Sequence, residues 1–266
     1  LDVDGGTIKL DGNYPVGTQN VALGEDTFTA IESGANYNTA LGYRALEALT
    51  TGDQNTAVGR QALADVTTGS DNTAVGFNAA DSTTTGSYNV SVGRDALQAN
   101  TTASYNTAVG RESLYFNTTG AENSAFGSGS LVRNTTGSYN TGLGRYALAL
   151  NTTASNNTAV GYQALYDNTT GTQNVAVGGN ALDSNTTASG NTAVGYDAAS
   201  AITTGVYNTC IGIDAGKAIT TADSNTMVGR FSGVNTTGTA NTFIGKNCGY
   251  TVTTGSKNTI LGQYNG

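Results

Sequence analysis

Hydrophobic and polar positions in this chain recur with a period of 17 residues. The pentad Asn-Thr-Ala-Val-Gly at residues 55–59 occurs, with small changes, fifteen times, and every step from Asn38 to Asn225 is 17 residues long. Counting the asparagine as position 1, position 4 is always large and apolar and position 5 is always glycine. A short, strict period is typical of repeat proteins in which each turn stacks on the next.

Each repeat is too short for a pair of helices, and its β-branched residues favour strands. We predict two short strands per turn, around positions 1–5 and 12–14, joined by bends after position 5 and at positions 15–17. The glycine column predicts a backbone with positive φ or a very close contact. The predicted fold is an all-β parallel β-roll, or β-solenoid, of about 15 turns. It occupies residues 20–266, and residues 1–19 form an N-terminal cap or a junction.

The asparagine column predicts a ladder of amide hydrogen bonds. Position 1 is Asn in all fifteen copies, and position 12 is Asn in six consecutive turns from Asn100 to Asn185. Equivalent residues in stacked turns lie about 4.8 Å apart, so uncharged side chains that bond to their own copies fit such a column. Residues interpreted as structural include Asn55, Gly59, Asn106, Gly110, Asn157 and Gly161.

Two apolar columns point to two separate compartments. Successive strand residues face opposite sides, so positions 3 and 4 cannot share one interior. Position 3 grows from Ala to Met227 and Phe243 in the late turns, where position 9 shrinks from Leu to Gly233 and Gly249. Positions 3 and 9 therefore fill one compartment, because close-packed interiors hold volume nearly constant. A two-stranded roll has only one interior, so one of these two compartments, which the sequence leaves unassigned, would remain exposed along a single rod. This predicts assembly around a common axis as a homotrimer.

Composition excludes several classes of function. A net charge of −8 argues against a nucleic-acid partner, and no apolar run is long enough for membrane insertion. The chain has no His, and its acidic residues do not recur in fixed columns, so we expect no catalytic site, no metal site and no cofactor. We therefore expect no enzyme. Cys210 and Cys248 are interpreted as small buried residues rather than as a disulfide pair.

The variable outward positions are candidates for recognition. Position 17 is often Tyr, and position 6 mixes Arg with aromatic residues. Such a mixture suits a protein or sugar surface, so a host glycan or protein is a possible partner. The alternative is that these side chains only cover the roll or bridge adjacent chains. The candidate receptor-binding residues are Tyr37, Tyr88, Tyr105, Tyr139, Tyr207, Arg60, Arg94, Arg111 and Arg145.

The pentads at residues 55–59, 20–24 and 89–93 resemble the Ser-Val-Ala-Ile-Gly type repeat of YadA-like adhesin heads. That resemblance implies a trimeric, left-handed parallel β-roll. The longer unit at residues 157–171 is similar to repeats of bacteriophage tail fibres, especially those of cyanophages. It implies a structural segment of a virion tail fibre that contributes to host attachment. The alternative is a trimeric autotransporter adhesin head at the bacterial cell surface.

An ice-binding β-solenoid is a third hypothesis. The Thr pairs at or next to positions 13 and 14 would form long, regular columns. Ice-binding faces on solenoids usually need two outward Thr columns separated by one inward residue. Adjacent Thr residues point to opposite faces, so the match is partial.

Overall fold

A computed structural model describes residue 17 and residues 19–263 of the chain. The predicted cap at residues 1–19 therefore lies almost entirely outside the described residues. Within the described part, the regular elements are fifteen strands of three residues each, and no residue is helical. The strands are β1 (Val21–Leu23), β2 (Thr39–Leu41), β3 (Thr56–Val58), β4 (Thr73–Val75), β5 (Val90–Val92), β6 (Thr107–Val109), β7 (Ser124–Phe126), β8 (Thr141–Leu143), β9 (Thr158–Val160), β10 (Val175–Val177), β11 (Thr192–Val194), β12 (Thr209–Ile211), β13 (Thr226–Val228), β14 (Thr242–Ile244) and β15 (Thr259–Leu261).

All fifteen strands form one parallel sheet in sequence order, so the predicted all-β parallel solenoid is confirmed. Equivalent residues pair across neighbouring turns, for example Ala57 with Ala74 and Val58 with Val75. Fifteen strands enclose fourteen complete turns of about 17 residues, one turn fewer than the repeat count suggested. The chain advances by one strand per turn, so every inter-strand bond joins consecutive repeats.

The second predicted strand, at positions 12–14, is not a regular strand. The amides of Thr50 and Thr51 both donate to the carbonyl oxygen of Thr67, at 2.9 and 3.2 Å. The Thr50 hydroxyl donates to the same oxygen at 3.0 Å. Because successive N–H groups share one acceptor, the evenly spaced bonds of a parallel ladder cannot form. The prediction of two strands per turn was wrong, although this segment still bonds turn to turn.

Positions 3 and 9 share one compartment, as the volume exchange predicts, and the structure shows that this compartment is the interior of the single chain. In the late turns, the large position-3 side chain occupies the space left by the position-9 glycine. A β-carbon on Gly216 would lie 2.5 Å from the Cys210 sulfur, and one on Gly233 would lie 2.7 Å from the Met227 terminal methyl. Contacts that close do not occur between real atoms, so the two positions share one compartment.

The position-1 asparagines form a continuous buried ladder. The Asn55 backbone amide and its side-chain Nδ2 both donate to Asn38 Oδ1, at 2.8 and 3.1 Å. Asn55 Nδ2 also donates to the Gly69 carbonyl at 2.9 Å, across the interior of the turn. The ladder recurs at Asn106 and Asn157, both fully buried. Each amide therefore joins two turns and also closes its own turn, which satisfies polar groups that have no access to water.

Left-handed backbone occurs at more positions than the glycine column. The position-5 glycines adopt positive φ as expected, at 134° for Gly59, 129° for Gly110 and 136° for Gly161. Positions 7, 9 and 17 are also left-handed although most are not glycine, and one turn has φ of 57° at Gln61 and 50° at Leu63. Each such residue costs about 1 kcal/mol. The amides at these positions bond to a neighbouring turn, so stacking holds the strained backbone in place.

Candidate functional site

The outward face of the sheet is built from positions 2 and 4 of every strand. Position 3 points inward and is buried, so its two neighbours must point outward. Position 2 is Thr, Val or Ser, and position 4 is Val, Leu, Ile or Phe, so none of these side chains is charged. Large members stay open to solvent in the single chain, including Leu41 at 42%, Phe126 at 40% and Leu143 at 48% exposure.

This sheet face is large for a single chain. Fourteen steps of about 4.8 Å and two outward residues per strand give a strip of about 70 by 10 Å, or about 700 Å². The largest exposed apolar patch on a typical monomer is about 300–600 Å². A specific interface buries about 800 Å² on each partner. The sheet face is therefore close in size to one side of an interface and carries no charge, with an apolar column at position 4 beside a column at position 2 that is mostly Thr.

The predicted recognition residues flank the sheet face on both sides. The five tyrosines lie at position 17, just before the strand, and each is at least half exposed. Tyr88 and Tyr105 stack with ring centroids 4.9 Å apart and planes inclined by 5°. The four arginines lie at position 6, just after the glycine bend, and are exposed. The two groups are thus separate edges, and they do not form one cluster.

The position-6 edge contains an alternating stack of cations and rings. The Arg60 guanidinium lies 5.9 Å from the Tyr43 ring centroid and 5.3 Å from the Phe77 centroid. The Arg94 guanidinium lies over the other side of Phe77 at 5.9 Å. These distances suit cation–π attraction, which orders the long arginine side chains. Of the predicted arginines, Arg60 and Arg94 are joined through Phe77, and Arg145 lies over Tyr146 instead.

Sequence reasoning missed a cleft on the corner formed by positions 6–11. The cleft has a volume of about 340 Å³ and is lined by Arg94, Asp95, Glu112, Tyr115, Phe116 and Val132. Arg94 was predicted as a recognition residue, and the others were not. The available signal was the Tyr115–Phe116 pair, which is the one place where positions 10 and 11 are both aromatic.

Carboxylates approach one another on the same corner. Partial burial raises the pKa of Asp81 to about 6, and the nearby carboxylate of Asp65 adds repulsion. Asp183, which occupies the same position six turns later, also has a raised pKa because burial removes water from it. Nearby, Lys217 bonds to Asp197 at 2.8 Å and to Asp214 at 2.7 Å. This pairing with Asp197 and Asp214 raises the pKa of Lys217.

Stability is expected to fall as pH rises from about 4 to about 6 because of Asp81. Its folded pKa of about 6 exceeds the unfolded value of 3.8, so the folded state holds a proton that the unfolded state releases. The loss is about 1 kcal/mol, since Asp81 is half-buried and solvent screens part of the interaction. Thermal melts across this pH range should show the decline in the native protein and a flatter profile in Asp81→Asn. Equal profiles for the two proteins would contradict the assignment.

Only one of the two Thr columns faces water. Position-13 hydroxyls are half-buried and donate to main-chain carbonyls of the next turn, as Thr118 does to Thr135 at 3.0 Å. Position-14 residues such as Thr119 are exposed. The paired Thr residues therefore offer a single outward column, whereas the ice-binding hypothesis needs two.

The remaining candidates for a functional site are the two cysteines and any cluster of metal-ligating side chains. Cys210 and Cys248 are free and buried, and burial raises the pKa of the Cys210 thiol to about 12. No group of His, Cys, Asp or Glu side chains among residues 19–263 is arranged to hold a metal ion. The part of the chain that the structure describes has no helix long and apolar enough to cross a membrane.

Comparisons with models of known protein families, with curated proteins and with solved structures gave no match. The fold and the surfaces described above are therefore the basis on which a function is proposed.

Proposed function

We propose that this chain is a structural segment of a fibre, in which three copies associate through their sheet faces around a common axis. The observation that carries this proposal is the uncharged apolar column at position 4, whose members are all partly or fully exposed in the single chain. Burying this column removes apolar surface from water at about 25 cal/mol per Å². A cyclic assembly buries the column in every copy, whereas an open stack leaves one face exposed.

The rims fit the same arrangement. Tyrosines at position 17 and arginines at position 6 flank an uncharged centre. Protein interfaces have this composition, with charge depleted at the core and aromatic residues and Arg enriched. In this proposal the roll is left-handed, as in the adhesin heads that its pentads resemble.

The biological setting we propose is a bacteriophage tail fibre, where the rod would contribute to host-cell attachment as part of the virion. Support comes from the similarity of residues 157–171 to cyanophage tail-fibre repeats. The alternative is a trimeric adhesin head at the bacterial surface, which would use the same sheet face. The two settings differ in their companion domains, an intramolecular chaperone in the first and a membrane-anchor barrel in the second. The sequence of the complete gene distinguishes them.

Charging the sheet face is expected to abolish assembly. The double variant Val109→Glu, Val160→Glu places two carboxylates in the centre of the proposed interface, where each lies against its copies around the axis. Burying unpaired like charges costs several kcal/mol, enough to dissociate the trimer at micromolar concentration. Sedimentation velocity should give a trimer for the native chain and a monomer for the variant.

The matched control carries the same charges on another face. Thr119→Glu, Thr170→Glu alters two exposed position-14 residues and should leave the trimer intact. A native chain that sediments as a monomer at high concentration would overturn the proposal, as would dissociation of both variants alike.

A further inference from the structure

The cleft on the 6–11 corner has the size and lining of a small-ligand site. Its volume of about 340 Å³ lies at the lower end of the range for ligand pockets, which suits a ligand the size of one sugar ring. Two turns provide its charged side chains, Arg94 and Asp95 from one and Glu112 from the next. Tyr115, Phe116 and Val132 provide its apolar side.

Both carboxylates of the cleft are paired with arginines. Asp95 is almost fully buried, and its carboxylate accepts from Arg94 Nε at 2.9 Å and from Asn78 Nδ2 at 3.1 Å. The Glu112 carboxylate accepts from Arg111 Nε at 3.0 Å. Each carboxylate of the cleft therefore has a guanidinium partner, but Arg111 is not a lining residue, so the lining itself has a formal charge of −1. Each carboxylate keeps lone pairs for further donors, and each guanidinium keeps further N–H groups.

The aromatic side is held rigid. The Tyr115 and Phe116 rings meet edge to face, with centroids 4.5 Å apart and planes inclined by 81°. The Arg133 guanidinium lies 5.9 Å from the Phe116 centroid. Phe116 is nevertheless 44% exposed, so this apolar surface is accessible from solvent. A ligand with C–H groups on one face can pack on such rings, whose faces carry partial negative charge.

We propose that this cleft binds one pyranose ring of a neutral glycan. A neutral sugar offers hydroxyl donors to Asp95 and Glu112, hydroxyl acceptors to Arg94, and a C–H face to Tyr115. An anionic ligand would meet two carboxylates on a chain of net charge −8. A cationic ligand would have to displace arginines that already satisfy those carboxylates. The site rests on the attachment role proposed above and supplies a ligand class for it, and Arg94 is the one lining residue that also lies on the rim of the proposed trimer interface.

Saturation-transfer NMR on the full chain tests this directly. The probes are the methyl glycosides of glucose, galactose, mannose and N-acetylglucosamine, with sialic acid and glucosamine as charged comparisons. At least one neutral glycoside should bind with a Kd of about 1 mM, as expected for a single ring in an open cleft. The charged probes should bind at least about tenfold more weakly. No binding of any neutral glycoside at about 10 mM would overturn the proposal.

Variants locate the binding. Tyr115→Ala removes the stacking ring and should weaken binding at least about tenfold. Glu112→Gln keeps the shape but loses a charged acceptor, and it should weaken binding about fivefold. Tyr166→Ala is the matched control, because Tyr166 occupies the same repeat position three turns away, against Tyr146 and outside the cleft. Unchanged binding in both cleft variants, or equal loss in the control, would place the sugar elsewhere and refute the site.

These outcomes separate the two proposals. Loss of glycoside binding with an intact trimer bears on the cleft alone. A monomer that still binds the glycoside in a Tyr115-dependent way would refute the proposed assembly and leave the cleft assignment standing.

Discussion

Gly178→Ala is expected to lower the unfolding midpoint by about 10 °C or more, since a loss of about 4 kcal/mol shifts a chain of this size by that amount. Gly178 has φ of 133°, a conformation that side chains rarely adopt and that costs about 1–3 kcal/mol for a residue other than glycine. The added β-carbon would also lie 2.6 Å from the carbonyl carbon of Gly195 in the next turn. Gly195 cannot retreat, because its amide bonds to the Val177 carbonyl at 2.8 Å.

The adjacent residue provides the control. Gly179 has no positive φ, and a β-carbon there would meet the Tyr196 ring at 3.4 Å and the Tyr162 carbonyl oxygen at 3.9 Å, both ordinary contacts. Gly179→Ala should therefore change stability by no more than about 0.5 kcal/mol. Circular dichroism melts of the two variants under identical conditions make the comparison. If both variants have the same unfolding midpoint, close stacking of the glycine column does not explain the destabilisation expected for Gly178→Ala.

Asn157→Asp is expected to destabilise the chain by about 3–5 kcal/mol at neutral pH. Asn157 Nδ2 donates to the Gly171 carbonyl at 2.8 Å, and its Oδ1 accepts from the Asn174 amide at 3.0 Å and from Asn174 Nδ2 at 3.2 Å. A carboxylate keeps the acceptor role. It loses the N–H donor, places a carboxylate oxygen against the Gly171 carbonyl oxygen, and buries a charge with no cation beside it.

The penalty of Asn157→Asp should shrink as the pH falls. Burial raises the folded pKa of the new carboxyl above its unfolded value of about 3.9, so the protonated form is favoured in the folded state. Stability is then lost as pH rises above about 4 and levels off above the folded pKa. A protonated carboxyl can donate to Gly171, which leaves a penalty of about 1 kcal/mol at low pH.

Asn156→Asp makes the same chemical change one residue away on an exposed side chain. It should alter stability by no more than about 0.5 kcal/mol at any pH, and Asp71 already occupies the equivalent position in another turn. Urea unfolding of both variants from pH 3 to 8 measures the contrast. A pH-independent loss in Asn157→Asp would mean that the buried charge is not its cause.

The repeat period was enough to predict the solenoid, its parallel sheet and the compartment that positions 3 and 9 share. In a stack, every residue contacts its own copies, so a column must be chemically compatible with itself. That requirement is visible in the sequence as a run of Asn at position 1 and as compensating sizes at positions 3 and 9. Position 9 shrinks from Leu182 to Gly233 as position 3 grows from Ala176 to Met227, and this exchange places both positions in one compartment.

The conformation within each turn could not be predicted in the same way. Left-handed backbone at positions 7, 9 and 17 is occupied mostly by Gln, Leu, Tyr and other residues, so no glycine column marks it. Local preference disfavours that conformation, and bonds to neighbouring turns override it. Bonds to the neighbouring turn also explain why each turn has a single strand. The amides at positions 13 and 14 both donate to one carbonyl oxygen of the next turn, which is not the bonding pattern of a strand. Propensity at these positions predicted a strand that the path of the chain does not form.

The sequence by itself determined the stacking of the turns, the register of the strands and the pairing of positions 3 and 9 in one compartment, because each of these follows from a constant interval. Only the tertiary structure decided that positions 3 and 9 line the interior while position 4 faces outward, and which groups meet on the corner. Arg94, Glu112 and Val132 come from three successive turns and line one cleft. Their proximity depends on how the corner bends between the glycine and position 12, which the repeat interval does not specify. Irregular sites on a regular solenoid arise where variable positions of neighbouring turns are brought together by that bend.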